Sequence, residues 1–95
     1  MATWDERKRL SNINRHGLDF VGCEAVWDEF TIAREDIRQA YGELRLVTFG
    51  RLNRQVVVLV YTERRRGPDI ISLRKAEKYE ARYYIDEAKK FQGES

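Results

Sequence analysis

The chain has 95 residues and a net charge of +2, with 42% hydrophobic and 36% charged residues, which indicates one domain with a modest core over residues 1–95. It has no apolar run near the roughly 20 residues that cross a bilayer, and its first residues lack the apolar stretch of a signal peptide, so we expect a cytoplasmic protein. A single cysteine and a single histidine exclude an internal disulfide and a multi-histidine metal site, and we expect no cofactor.

Two helices are predicted in the first third of the chain. Thr3 and Glu6 have the spacing of a capping box, and Gly17 can adopt the left-handed conformation that ends a helix. A second helix, with Asp19 as its cap, is predicted by apolar residues at helical spacing, namely Phe20, Cys23, Val26, Trp27 and Phe30. Such a stripe is typical of a helix face that packs in the core, so Cys23 and Trp27 are expected to be structural.

The middle of the chain changes to the alternation of β-strands. Strands are predicted, in chain order, at 31–33, 44–49, 55–63 and 69–73. The run from Val56 to Tyr61 is apolar on both faces, which is typical of a central strand covered on each side. The five residues Gly50–Arg54 are predicted to connect the second and third of these strands.

A last helix is predicted from about Lys75 to Lys90. The order of elements is then two helices, a sheet and a third helix. The predicted fold class is therefore α+β, with a small antiparallel twisted sheet packed against two N-terminal helices and a C-terminal helix.

The small net charge conceals an uneven distribution. Residues 45–82 carry ten basic and four acidic side chains, a net of +6, whereas residues 19–44 carry two basic and seven acidic ones, a net of −5. A basic block beside an acidic block suggests a polyanionic partner on one face. Ordinary solvation of a small protein's surface is the alternative interpretation.

The basic block includes groups that suit RNA. Alternation along the last strand places Ile70, Ser72 and Arg74 on one face. The preceding turn is expected to bring Arg64 and Tyr61 close to that face. Guanidinium groups bind phosphate through two hydrogen bonds, and tyrosine offers both a stacking surface and a hydroxyl. The alternative is a solvated sheet end with surface ion pairs.

A second basic group lies on the first helix. Lys8, Asn12 and Arg15 share one face at spacings of four and three residues, which fits either a solvated helix face or a surface that binds a nucleic-acid backbone. His16 stands at the end of that helix. It is interpreted either as a cation that complements the helix dipole or as a general acid or base.

These residues also form a pattern that resembles a known family. The residues that carry the resemblance are, in order, Trp4-Asp5, Lys8, Asn12, Arg15-His16-Gly17, Tyr41-Gly42-Glu43, Arg45, Gly50, Val60-Tyr61-Thr62-Glu63-Arg64, Ile70-Ile71-Ser72 and Arg74-Lys75-Ala76. The pattern resembles the BrnT toxin family over nearly the whole chain. It departs from that family at Arg15, where lysine is common, and at Leu73, where alanine is common.

The resemblance implies the toxin of a type II toxin–antitoxin pair, with a RelE-like fold and a ribonuclease activity that blocks translation. It also implies a cognate ribbon-helix-helix antitoxin encoded nearby, with a homodimer as one arrangement inside the toxin–antitoxin complex. The expected chemistry is metal-independent RNA cleavage, in which a 2′-hydroxyl attacks the adjacent phosphate and leaves a 5′-hydroxyl product. Such a reaction needs a base, a cation for the phosphorane and an acid for the leaving oxygen.

Six candidate catalytic residues follow as hypotheses. Two arginines are assigned as phosphate clamps, two residues as alternative bases, and two tyrosines as acids or stacking platforms: in that order, Arg64 and Arg74, His16 or Glu63, and Tyr61 or Tyr84. The candidate RNA-binding residues are Lys8, Arg15, Arg45, Arg65, Ser72 and Lys75. The competing hypotheses are a non-catalytic nucleic-acid- or protein-binding module, and a partner protein whose acidic stretch at 19–43 binds a basic peptide.

Overall fold

The fold is known from a computed structural model, which describes residues 1–38, 40 and 42–93. Its elements, in chain order, are β1 (Thr3–Trp4), α1 (Glu6–His16), a 3₁₀ helix (Cys23–Asp28), β2 (Ile32–Glu35), β3 (Arg45–Leu52), β4 (Gln55–Arg64), β5 (Gly67–Lys75) and α2 (Lys78–Gly93). The strands form one five-stranded sheet in the order β1-β5-β4-β3-β2. The α+β class is confirmed, but the sheet is mixed, because β1 runs parallel to β5.

Strand β4 lies at the centre of the sheet, as its sequence predicts. Its residues from Val56 to Tyr61 are all buried. Val57 and Leu59 pack in one core cluster with the 3₁₀ helix, whereas Val58 packs in a second cluster with residues of α2. Alternate side chains of one strand therefore hold the two layers of helices together through the sheet.

A β-bulge divides the pairing of β4 with β5. Val60 pairs with Ser72 and Tyr61 pairs with Ile70, so Ile71 has no partner across the ladder. The extra residue reverses the alternation, and Ile70 packs in the same core cluster as Leu73. The expectation that Ile70 shares a face with Ser72 and Arg74 is therefore wrong.

Helix α1 begins later than the sequence pattern predicts. The N-cap is Asp5, whose carboxylate accepts a hydrogen bond of 2.8 Å from the amide of Arg7. Thr3 belongs to β1 instead, where its hydroxyl donates to Asp69. The predicted end at Gly17 is confirmed: this residue has φ 70° and its amide donates to the carbonyl of Ile13.

The buried side chain of Asn12 connects α1 to β5. Its amide nitrogen donates to the carbonyls of Leu73 and Leu18 at 2.8 and 2.9 Å, and its oxygen accepts from the amide of Leu73 at 3.0 Å. Strand β1 pairs with β5 only as far as Ile70, so this edge position would otherwise lack partners. The carboxamide thus replaces a neighbouring strand at Leu73.

The predicted second helix is a short 3₁₀ helix over Cys23–Asp28 rather than an α-helix from residue 19. Gly22, with φ 86°, interrupts the helical conformation directly before it. Cys23 is fully buried, as expected, and Trp27 packs against the core. The 3₁₀ helix also approaches β3 closely, since a β-carbon at Gly50 would clash with the side chain of Val26.

Further boundaries differ from the sequence-based expectation, and β2 spans Ile32–Glu35 rather than 31–33. The connection of β3 to β4 has two residues, Asn53 and Arg54, both with positive φ, and both strands extend to meet it. Strand β5 continues to Lys75, so the last helix starts at Lys78.

Tyr41 of the family pattern lies outside the described residues. Across the described ranges, neither α1 nor α2 is long and apolar enough to cross a membrane.

The connection through Asn12 leads to a stability prediction. Asn12→Ala leaves the amide of Leu73 and two carbonyls without these hydrogen bonds, and we expect a loss of about 2–3 kcal/mol in the free energy of unfolding. Denaturant unfolding followed by circular dichroism measures it. The control is Asn14→Ala, an exposed position on the same helix, which should change stability by less than about 0.5 kcal/mol. Equal stability of the two variants would contradict this role.

Candidate RNA-binding and cleavage site

A basic groove lies between α1 and β5, and we call it the helix groove. It has a volume of about 310 Å³ and is lined by Arg7, Lys8, Ser11, Asn12, Arg15, His16, Ile71 and Ser72. The groove brings together four of the residues selected from the sequence, which are Lys8, Arg15, His16 and Ser72. Positions 8 and 15 are two turns apart on α1, and Asn12 between them faces the strand rather than solvent.

A second groove lies on the α2 side of the sheet, and we call it the sheet groove. It has a volume of about 330 Å³, and the side chains of its floor lie in rows that cross the paired strands. Two rows of cross-strand partners run from β2 to β5, and they are Arg34–Val47–Val60–Ser72 and Ile32–Phe49–Val58–Arg74. Because cross-strand partners share a face, the row that begins with Arg34 ends at Ser72. Ser72 lines both grooves and therefore marks where they meet.

Arg74 is held in place on the wall of the sheet groove. Its guanidinium donates to both carboxylate oxygens of Glu80, at 2.7 and 2.9 Å. Glu80 also accepts from the amide of Glu77 at 2.8 Å, and its side chain is 9% exposed. Hydrogen bonding from Arg74 lowers the pKa of Glu80 below its ordinary value of 4.5, against the opposing effect of burial. The pair therefore fixes the guanidinium in a charged and oriented state.

Arg64 does not lie close to Arg74. Arg64 pairs with Gly67 at one end of the β4–β5 ladder, whereas Arg74 pairs with Val58, six positions away along β4. At about 3.3 Å per residue, that separation is about 20 Å. Arg64 contacts Glu43 and Asp69 instead, and the expectation of one site that joins it to Arg74 is wrong.

The two candidate tyrosines are buried in the core. Tyr61 is 4% exposed, points to the face opposite Ser72, and its hydroxyl lies 3.0 Å from the hydroxyl of Thr48. Tyr84 is 3% exposed and donates to the carbonyl of Phe30 at 2.6 Å, and burial raises its pKa. Neither side chain lines the helix groove or the sheet groove.

The remaining candidates lie outside the two groove linings. Glu63 and Arg65 are exposed near the β4–β5 turn, at the end of the ladder where Arg64 lies. Arg45 begins β3 opposite Thr62, and Lys75 is the exposed last residue of β5. The structure thus separates the twelve selected residues into a group around the two grooves and a group elsewhere.

Three basic residues that line the grooves were not among the candidates selected from the sequence, and they are Arg7, Arg34 and Arg38. Arg7 lines the helix groove, one turn before Ser11. Arg34 lines the sheet groove, where its guanidinium carbon lies 4.7 Å from the ring centre of Tyr83 and 5.8 Å from that of Phe49. Alternation along β2 would have placed Arg34 on the same face as Ile32.

The described residues offer few groups for metal binding or for thiol chemistry. Within residues 1–38, 40 and 42–93, no three histidine, cysteine, aspartate or glutamate side chains cluster as metal ligands. Burial raises the pKa of the Cys23 thiol to about 11, so this side chain remains protonated at neutral pH.

The Arg74–Glu80 pair leads to a pH prediction. Because the folded-state pKa of Glu80 is depressed, the pair stabilises the fold above about pH 4.5, and this contribution is lost as pH falls through the lower folded-state value. Glu80→Gln should therefore be less stable than the unsubstituted protein at pH 7, with the difference shrinking towards pH 3. Denaturant unfolding at several pH values measures this. Glu87→Gln, at a carboxylate that pairs with Lys90, is the control; an equal pH dependence in both variants would contradict the assignment.

Comparisons with known proteins identify the family of this chain. A comparison with curated protein sequences gives no match. The family model described as "Ribonuclease toxin, BrnT, of type II toxin-antitoxin system" matches residues 4–80, which include α1, strands β2 to β5 and the Arg74–Glu80 pair. A family of this kind implies an RNA substrate and an antitoxin partner. The chain belongs to the BrnT family of type II toxin–antitoxin ribonuclease toxins.

Proposed function

We propose that this protein is a metal-independent endoribonuclease with a RelE-like fold, which acts in the cytoplasm as a single domain and inhibits translation by cutting RNA. The observation that carries the proposal is the grouping of His16 with Lys8, Arg15 and Ser72 in the helix groove, adjacent to the sheet groove that holds Arg74. It combines an imidazole, which can accept a proton, with several phosphate-binding cations.

The proposed path of the RNA backbone crosses the edge of β5 at Ser72. Lys8 and Arg15 neutralise phosphates on the α1 side of this edge, and Arg74 binds the phosphate on the sheet side. The orientation of Arg74 by Glu80 supports this role, because a prearranged guanidinium stabilises developing charge without reorganising. Arg45, Lys75 and the more distant Arg65 are assigned to outer contacts with the RNA chain.

The proposed reaction is a transesterification. His16 removes the proton from a ribose 2′-hydroxyl, and the 2′-oxygen then forms a bond to the adjacent phosphorus. The bond from phosphorus to the 5′-oxygen breaks, which leaves a 2′,3′-cyclic phosphate and a 5′-hydroxyl. Arg74 stabilises the charge on the phosphorane oxygens.

The other candidates receive different roles in this proposal. Water supplies the proton to the leaving oxygen, since the hydroxyls of Tyr61 and Tyr84 are bonded inside the fold. Glu63 and Arg64 are not assigned to the reacting phosphate, because they lie at the far end of the β4–β5 ladder. His16 is therefore preferred to Glu63 as the base.

The antitoxin completes the proposal. We infer a ribbon-helix-helix antitoxin that neutralises the toxin by covering the helix groove, within a complex that contains a toxin homodimer. The positive charge of the groove suits an acidic segment of that partner. Binding of such a segment would exclude RNA from the same groove. Co-expression of the antitoxin should restore growth to cells that the toxin inhibits.

Replacement of the base and of the phosphate-binding arginine tests the enzymatic proposal. We expect His16→Ala and Arg74→Ala to reduce RNA cleavage by about 10²-fold or more, in buffer with a metal chelator. Cleavage by the purified proteins is followed by gel electrophoresis, and end mapping identifies 5′-hydroxyl products. Arg82→Ala, which removes an exposed guanidinium from α2, should cleave like the unsubstituted protein.

Two results would overturn this proposal. Full cleavage by both His16→Ala and Arg74→Ala would contradict the assignment of these residues to the cleavage site. Salt-sensitive RNA binding by the unsubstituted protein with no cleavage would favour a non-catalytic binding module.

A further inference from the structure

The side chain of Arg34 differs from the other arginines near the sheet groove. Arg38 and Arg74 each contact a carboxylate, whereas Arg34 makes no ion pair within the part of the chain that the structure describes. Its guanidinium lies over the ring of Tyr83 at 4.7 Å, beside Phe49, and the residue is exposed. Two rings, one from α2 and one from β3, therefore hold a planar cation that forms no ion pair with the described residues.

The strand pairing gives the distance between Arg34 and the proposed cleavage site. Arg34 and Ser72 stand at opposite ends of one row, with Val47 and Val60 between them. Three strand spacings of about 4.8 Å separate the two backbones by about 14 Å. Arg34 on β2 and Arg74 on β5 both line the groove in which this gap lies.

The chemistry of the gap distinguishes between the parts of a nucleotide. A phosphate placed against Val47 and Val60 would lose hydration without gaining a donor from the floor. A nucleobase has an apolar face that can lie on the valines, and its ring can stack on a guanidinium plane. The base therefore fits the floor, and the adjoining phosphate fits Arg74.

We propose that the sheet groove is a nucleobase subsite, in which one unpaired base of the RNA stacks on Arg34 while Arg74 holds the neighbouring phosphate. This inference rests on the proposed function, and it specifies the substrate as RNA with a base that is free to leave its stack. Tyr83 and Phe49 are the residues that orient Arg34. A base-paired helix cannot present a single base to the sheet, so duplex RNA should bind less well.

Binding measurements separate recognition of the base from recognition of the phosphate. The probes are a single-stranded RNA oligonucleotide with 2′-O-methyl sugars, which prevents cleavage, and the same backbone with abasic residues. Fluorescence anisotropy gives the Kd of the full chain for each. We expect Arg34→Ala to bind the base-bearing probe about ten- to hundredfold more weakly and the abasic probe nearly as well as the unsubstituted protein.

A charge-conserving variant separates the effect of the planar guanidinium from the effect of its charge. Arg34→Lys keeps the positive charge but lacks the planar group, so it should lose binding to the base-bearing probe as Arg34→Ala does. Arg82→Ala, a charge-matched control on the exposed side of α2, should bind both probes normally. Rescue by Arg34→Lys, or equal losses on the two probes, would show a phosphate contact and overturn the subsite. Unchanged binding by Arg34→Ala would also overturn it, and would favour a protein segment as the occupant.

Failure of this inference is distinguishable from failure of the proposed function. If the unsubstituted protein cleaves RNA and depends on Arg74, while Arg34→Ala binds and cleaves normally, only the nucleobase subsite is wrong. If the unsubstituted protein cleaves no RNA, the proposed function is wrong, whereas selective loss of base-bearing RNA by Arg34→Ala would still support the subsite.

Discussion

The structure depends on one buried carboxamide. Asn12 supplies both a donor and an acceptor to Leu73 and a second donor to Leu18, at an edge of the sheet that β1 covers only in part. This arrangement sets the distance of α1 from β5. Since Lys8 and Arg15 are one turn before and about one turn after Asn12, the same hydrogen bonds place their cations along the strand. A structural constraint thus creates the helix groove.

The β-bulge in β5 has an equally direct effect on the site. By leaving Ile71 unpaired, it places Ile70 in the core and keeps Ser72 and Arg74 on the α2 side of the sheet. The polar part of β5 therefore connects two grooves, one beside α1 and one on the α2 side of the sheet. The cost of the irregular ladder is offset because Ile70 and Leu73 are both buried in one cluster.

Local patterns were sufficient to predict the fold class, the central strand and the end of α1 at Gly17. The alternation of β5 was not predictable in this way, because a bulge depends on the pairing with β4. The length of the turn after Leu52 was not predictable from local patterns either, because it depends on the positive φ angles of Asn53 and Arg54. For the site, helical spacing correctly grouped Lys8 with Arg15. No local pattern revealed that the ladder separates Arg64 from Arg74.

The central claim is that RNA binds across the edge of β5 rather than at the arginine-rich turn that follows β4. Backbone amide shifts in NMR spectra, recorded while the protein is titrated with uncleavable 2′-O-methyl RNA, test this directly. The account predicts the largest shifts along α1 near Lys8 and Arg15 and along β5 from Ser72 to Arg74, with small changes at Arg65. Shifts concentrated at Arg65 and its neighbours, with α1 and Ser72 unaffected, would contradict it.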